Sequence, residues 1–134
     1  MNAHAFASEF KCGLCFYALH RELAALRADS LRSLADSIGF KPTRNTFALR
    51  VAGDSMIGRH ILDGDLVVLE HGPEPRNGQI VAALIDRECT LKTFIMRNGR
   101  PYLRAENPKY PKLFPAEELV IQGVFKALIR KAAE

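Results

Sequence analysis

Apolar residues in the first third of the chain recur at helical spacing. Between residues 14 and 38 they stand three or four positions apart, with arginine and glutamate residues between them: Ala18, Leu19, Leu23, Leu26, Leu34 and Ile38. This spacing is typical of one apolar face of a helix. Asp29-Ser30 is suited to break the region into two helices, and Gly39 and Pro42 mark its end. We therefore predict a partly helical N-terminal arm over residues 1–43.

From Thr46 onward the pattern changes to short apolar segments separated by turn residues. Six segments are strand candidates: 47–51, 66–70, 79–86, 89–96, 101–105 and 119–129. Asn98-Gly99 is the strongest hairpin signal, and Asp86-Arg87-Glu88 indicates a second hairpin tip, while Asp63-Gly64 and Asn77-Gly78 mark further turns. Closely spaced strands with little helix predict a mostly β fold of antiparallel sheets over residues 44–134.

The composition is that of a soluble globular domain. The 134 residues are enough for one core, and 48% hydrophobic and 25% charged residues are ordinary proportions. The longest apolar run, Ile80–Ile85, is far shorter than the roughly 20 residues of a membrane span. The N-terminus lacks the basic segment and apolar core of a secretory signal. We therefore expect a cytoplasmic protein with no membrane association.

The charge permits contact with nucleic acid but does not argue for it. The net charge is +4, but the basic residues are scattered, and Trp is absent. The roughly 45 residues before the β region show no convincing pair of helices with a recognition turn. We therefore expect no direct DNA-binding domain in this chain.

Three cysteines do not suggest a framework of disulfides. Cys12 and Cys15 form a CxxC at the start of the predicted helix, which is compatible with a redox pair or with half of a zinc site. There is no second CxxC, and Cys89 and the histidines do not fall at ligand spacing. We interpret these cysteines as ordinary residues and predict no metal and no cofactor.

Ser55 lies in a glycine-studded segment, residues 51–65, which raises the question whether it is a turn residue or a nucleophile. Nothing within the segment activates a serine, since His60 is five residues further on. A base would have to come from elsewhere in the chain.

Lys92 is the candidate for that base. On the strand 89–96 alternate side chains share a face, so Lys92 lies beside Thr90 and Phe94 in a half-apolar row. One interpretation is that this face is partly exposed and Lys92 extends into water. The other is that burial without a carboxylate partner keeps its amine neutral, so that it can take the proton of a serine hydroxyl.

The order of several motifs decides how we interpret this pair. They are Gly53-Asp54-Ser55-Met56, Asp63-Gly64-Asp65-Leu66-Val67, Asn77-Gly78-Gln79-Ile80-Val81, Thr90-Leu91-Lys92 and Glu106-Asn107-Pro108-Lys109-Tyr110. Together, with serine and lysine 37 residues apart, they resemble the catalytic domain of the LexA/UmuD-type self-cleaving proteins, the S24 peptidase family. The likeness covers about residues 44–130 and implies a fold of twisted antiparallel sheets.

The resemblance also implies a site. It makes Ser55 the nucleophile and Lys92 its general base, with an oxyanion hole formed by backbone N–H groups at the nucleophile turn, those of Asp54 and Ser55. Gly53 would let the chain turn sharply before the serine. We expect Asp54 to cap the turn rather than to act as an acid, and Met56 to be a packing residue.

Family members cut their own chain at an Ala-Gly or Cys-Gly bond ahead of the catalytic domain. Cys12-Gly13 is the only such pair before residue 44, where the catalytic domain is predicted to begin, so the resemblance makes it the candidate scissile bond. It precedes Ser55 by 42 residues, which is more than enough chain to fold back. The alternative is that the pair is incidental and the cut falls elsewhere or on another protein.

The resemblance further implies a homodimer that acts in the DNA-damage (SOS) response, with cleavage stimulated by a recombinase filament on single-stranded DNA. A UmuD-like protein would also assist an error-prone DNA polymerase, whereas a LexA-like repressor fragment would regulate transcription. The competing hypothesis is a dimerisation or polymerase-binding module that does not cleave itself.

Overall fold

A computed structural model of the chain describes Ser37 and residues 39–132. All six predicted strands are confirmed, with bounds that differ by one residue or not at all: β1 Thr46–Arg50, β2 Leu66–Glu70, β3 Ile80–Ile85, β4 Glu88–Arg97, β5 Arg100–Arg104 and β6 Leu119–Ile129. A single 3₁₀ turn at Ile57–Arg59 lies between β1 and β2. Most of the helix predicted over residues 14–38 lies outside the described residues, and so does the Cys12-Gly13 bond. The predicted boundary between arm and domain stays a prediction.

The six strands form one antiparallel sheet in the order β1-β2-β6-β3-β4-β5. β6 therefore lies between β2 and β3, and its register shifts once against each of them. Such irregularities bend a strand and increase its twist. The predicted mostly β fold with antiparallel pairing is confirmed. Within the described residues, no helix is both long and apolar enough to span a bilayer.

Two hairpin tips follow from residues that accept a left-handed backbone. β3 and β4 are joined by Asp86 and Arg87, with φ of 47° and 74°, and β4 and β5 by Asn98 and Gly99, with φ of 53° and 73°. Positive φ at both central positions matches the right-handed twist of the strands. Asp86 is also held by its carboxylate, which accepts backbone N–H bonds from residues 116–118. Both predicted hairpins are confirmed.

The sheet buries both of its faces, in two apolar clusters. Ile80 and Ala82 belong to the cluster that contains most of β1 and β2, while Val81 and Ala83 belong to the other, as alternation along β3 requires. The start of β4 also packs on the first cluster, through Cys89 and Leu91. Because β1 is an edge strand and β4 is near the opposite edge, the sheet must curl to make this contact. The loop after β1 is thereby brought to β4.

Candidate active site

Ser55 lies in the loop between β1 and β2, which is closed at its base by backbone hydrogen bonds. The Val51 N–H donates to the Asp65 carbonyl oxygen at 2.8 Å, and the Gly64 N–H donates to the Val51 carbonyl oxygen at 2.8 Å. Gly53 has φ of 92°, a conformation that L side chains rarely adopt, which confirms the predicted sharp turn. Met56 is buried and packs in the first cluster, as expected. The serine is thus held on a short turn anchored on both sides.

Lys92 lies in the middle of β4, opposite Val81 of β3, and is buried. Its Nζ is 3.1 Å from Ser55 Oγ and 3.2 Å from the Leu91 carbonyl oxygen, and it also lies within hydrogen-bonding distance of Thr90 Oγ1. The side chain therefore does not extend into water. The structure brings together the serine and the lysine that the sequence pattern indicates separately.

The amine of Lys92 has no acidic partner among the described residues. Burial lowers its pKa from the ordinary 10.5, while the nearby Cys89 thiol acts in the opposite direction. A buried ammonium without a counter-charge is disfavoured, so desolvation moves the equilibrium toward the neutral amine. A neutral amine beside a hydroxyl can act as a base.

The pair opens onto a narrow cleft of about 140 Å³. Its walls come from the end of β1, the following loop, one residue of β2 and the first half of β4, and most of them are apolar: Leu49, Val51, Ala52, Met56, Val67 and Leu91. Cys89 lines the same cleft.

Sequence reasoning missed a second group of side chains beside the serine. The Asp54 carboxylate pairs with Lys109 Nζ at 2.8 Å and accepts a hydrogen bond from the Tyr110 hydroxyl. Lys109 and then Tyr110 lower the pKa of the Asp54 carboxyl, and the carboxylate in turn raises the pKa of both partners. Asp54 therefore ties the turn that carries Ser55 to the segment after β5, beyond the local capping role expected for it. The only sequence signal for this segment was its place in the motif Glu106–Tyr110.

The fold and the pair define a class: a mostly antiparallel β domain with a serine and a buried lysine in contact at one cleft. The family model described as Peptidase S24-like matches residues 17–126. The chain belongs to this family, and the resemblance given by its motifs is confirmed.

Curated relatives carry the name LexA repressor. The one from Verrucomicrobium spinosum is 55% identical over 94 residues, which are 70% of this chain and 46% of that protein. The one from Opitutus terrae is 49% identical over 87 residues, 64% of this chain and 43% of that protein. The one from a Parafrankia species is 47% identical over 85 residues, which are 63% of this chain and 34% of that protein. The chain thus spans less than half the length of these relatives.

Proposed function

We propose that this chain is a serine endopeptidase that cleaves itself, with Ser55 as nucleophile and Lys92 as general base. The observation that supports it most is the 3.1 Å between Lys92 Nζ and Ser55 Oγ, together with the burial of that amine. Lys92 takes the hydroxyl proton while Oγ attacks the scissile carbonyl carbon. The ammonium formed then returns the proton to the leaving amine, and water hydrolyses the acyl-enzyme.

The three contacts of the amine suit this cycle. As an ammonium, Lys92 donates to Ser55 Oγ, Thr90 Oγ1 and the Leu91 carbonyl. When neutral it keeps two N–H donors, which can stay with Thr90 and Leu91. Its lone pair then faces the Ser55 hydroxyl, which donates to it. Thr90 and Leu91 thus direct the basic lone pair at the nucleophile.

The negative charge that develops on the carbonyl oxygen needs donors. We assign this role to the backbone N–H groups of Asp54 and Ser55, which lie on the nucleophile turn. Backbone donors of this kind stabilise a tetrahedral intermediate without rearranging during the reaction. No metal and no cofactor takes part in this scheme.

The scissile bond that we propose is Cys12-Gly13, in an N-terminal arm of residues 1–43 ahead of a peptidase domain of residues 44–134. Small residues on both sides of the bond suit the narrow, apolar cleft. A cut elsewhere, or in a second protein, is the alternative.

The LexA repressor names of the relatives support a role in the response to DNA damage. We propose that the chain is the catalytic part of a LexA-like repressor or a UmuD-like protein, that it acts in the cytoplasm as a homodimer, and that a recombinase filament on single-stranded DNA stimulates its cleavage. For a UmuD-like protein the further partner is an error-prone DNA polymerase.

Incubation of the purified chain at alkaline pH tests the proposal. The wild-type protein should shorten by a first-order process, and mass spectrometry of the products should locate the cut. Ser55→Ala should stay intact, whereas the matched change Ser37→Ala should cleave at the wild-type rate. Equal cleavage of the wild-type protein and Ser55→Ala would contradict the proposal. An intact wild-type chain would favour the non-cleaving binding module.

The pH dependence tests the role of Lys92. Because burial lowers the pKa of this amine, the rate should rise with pH and level off below the ordinary lysine value of 10.5. A rate that keeps rising beyond pH 10.5 would contradict a buried lysine base.

A further inference from the structure

Two carbonyl groups of the nucleophile turn are held by the segment after β5. The Asn107 Nδ2 donates to the Asp54 carbonyl oxygen at 3.0 Å, and the Glu106 N–H donates to the Ser55 carbonyl oxygen at 2.8 Å. The Glu106 carbonyl in turn accepts the Gly58 N–H at 2.7 Å. A Cβ on Gly58 would meet that carbonyl oxygen at 2.5 Å, so the two segments approach as closely as a glycine allows.

Asn107 is itself fixed at both ends. It is buried, its Oδ1 accepts the Lys109 N–H at 3.2 Å, and its main-chain carbonyl accepts the Tyr110 N–H at 3.1 Å. The direction in which its amide points is therefore set by the turn 107–110 and not by solvent.

A peptide bond is planar and trans, so the carbonyl of one residue and the N–H of the next point in opposite directions. Fixing the Asp54 carbonyl on Asn107 therefore also fixes the direction of the Ser55 N–H, which points away from Asn107. Among the residues that the structure describes, no acceptor takes a hydrogen bond from this N–H.

We propose that Asn107 is a positioning residue for the oxyanion donor: its side-chain amide holds the peptide bond between Asp54 and Ser55 so that the Ser55 N–H faces the reacting carbonyl. This inference rests on the proposed function. Asn107 does not touch Ser55 Oγ or Lys92 Nζ, so it acts on the stabilisation of the intermediate and not on the base.

Asn107→Asp tests the proposal, because it keeps the shape and the Oδ1 acceptor but sets an oxygen against the Asp54 carbonyl. The plateau rate of self-cleavage should fall about tenfold to a hundredfold, somewhat less than the loss of a whole oxyanion donor. The pH midpoint, which reports Lys92, should not move. Asn98→Asp is the matched control, because it makes the same change of charge at an exposed residue of the β4–β5 hairpin, and its plateau rate should stay within about threefold of wild type.

A second readout is the rate at which a fluorophosphonate probe labels Ser55. The serine oxygen attacks phosphorus, fluoride leaves, the serine proton passes to Lys92, and the phosphoryl oxygen occupies the oxyanion position. Labelling by Asn107→Asp should slow in parallel with its cleavage. Rates are normalised to the folded fraction from circular dichroism, and Asn107→Ser takes its place if Asn107→Asp does not fold.

Two results would overturn the proposal: an unchanged plateau in Asn107→Asp, whatever its pH midpoint, or an equal loss in Asn98→Asp. If the wild-type chain shows Ser55-dependent cleavage, such a result concerns Asn107 alone. If the wild-type chain neither cleaves nor is labelled at Ser55, the proposed function fails and the inference fails with it.

Discussion

Two buried ionisable side chains lie at opposite ends of the loop between β1 and β2: Lys92 of β4 at its start, and Asp65, the last residue of the loop, at its end. Lys92 contacts Ser55 near its start and has no acidic partner among the described residues. Asp65 is only 2% exposed, and Arg130 donates to both of its carboxylate oxygens, to Oδ1 at 2.8 Å and to Oδ2 at 2.7 Å. Asp65 also accepts the Leu62 N–H at 2.7 Å.

Burial acts alike on both groups, since it disfavours their charged forms. At Asp65 the Arg130 guanidinium outweighs burial and lowers the pKa of the carboxyl, so the charge is kept. At Lys92 burial is the largest effect and lowers the pKa of the amine, so the charge is disfavoured. The difference between a structural ion pair and a candidate base is therefore the presence of a counter-charge, not the depth of burial.

The largest effect should come from removing the unpaired amine. Lys92→Met should lower the self-cleavage rate by at least about a thousandfold, because in the proposed mechanism Ser55 loses its base. It should also raise stability by about 0.5–2 kcal/mol at neutral pH, since a buried charge is replaced by an apolar group of similar shape. Urea unfolding and mass spectrometry measure the two effects. Lys126→Met, at an exposed lysine of β6, is the control and should change neither.

Removing the partner of the paired carboxylate should have the next largest effect. Arg130→Met leaves the Asp65 carboxylate buried without a counter-charge, which is strongly unfavourable. The urea midpoint of unfolding at neutral pH should fall by roughly 0.5–1 M, less than for a fully buried pair because Arg130 is partly exposed. Urea unfolding at several pH values measures it.

The direction in which the stability loss of Arg130→Met changes with pH follows from the Asp65 carboxylate. In the wild-type protein the lowered pKa contributes stability above the ordinary value of 3.8, and this contribution is lost as the pH falls through the folded-state pKa. In Arg130→Met the carboxylate is buried without a counter-charge, so its protonation in acid relieves the cost. The difference between the two proteins should shrink below about pH 4. An equal difference in acid and at neutral pH would show that Arg130 acts through packing alone.

A carboxylate placed beside Lys92 should turn its unpaired amine into a buried ion pair like that of Asp65 and Arg130. Thr90→Glu places a carboxylate beside Lys92 and should raise the pKa of the amine, so the midpoint of the rate–pH profile should move up by about one unit. Cleavage below the midpoint should then fall about tenfold. Thr90→Gln is the neutral control of the same size. If both variants lose activity equally without a change of midpoint, charge is not the cause.

The smallest effect should come from the Thr90 hydroxyl alone. Thr90→Val keeps the shape but removes an acceptor from the amine, and should slow cleavage by about threefold to tenfold, the equivalent of one ordinary hydrogen bond. Thr90→Ser restores the acceptor and should recover most of the rate. Failure of serine to recover it would mean that the methyl group, and not the hydroxyl, matters.

The strands and turns could be predicted because their signals are local. Short apolar segments bounded by turn residues located all six strands, and Asn98-Gly99 carries the backbone preference of its own hairpin. The pairing of Ser55 with Lys92 was reached only through the order of the motifs, since no local rule connects residues 37 positions apart. No sequence signal predicted the contacts of Asn107 and Tyr110 with Asp54. Asn107 and Tyr110 are 53 and 56 positions from Asp54, and the two loops that carry these residues meet only because the sheet curls.

The β domain, its hairpins and the family can all be identified without coordinates, because alternation, turn chemistry and motif order are written in neighbouring residues. Which buried charge has a partner depends instead on the folded chain. Alternation along β4 puts Lys92 on one face but cannot say whether water, an acid or a serine lies opposite. Arg130 meets Asp65 from 65 positions away. Burial and counter-charge are both set by segments that the curled sheet brings together, and these two quantities fix the protonation of a side chain.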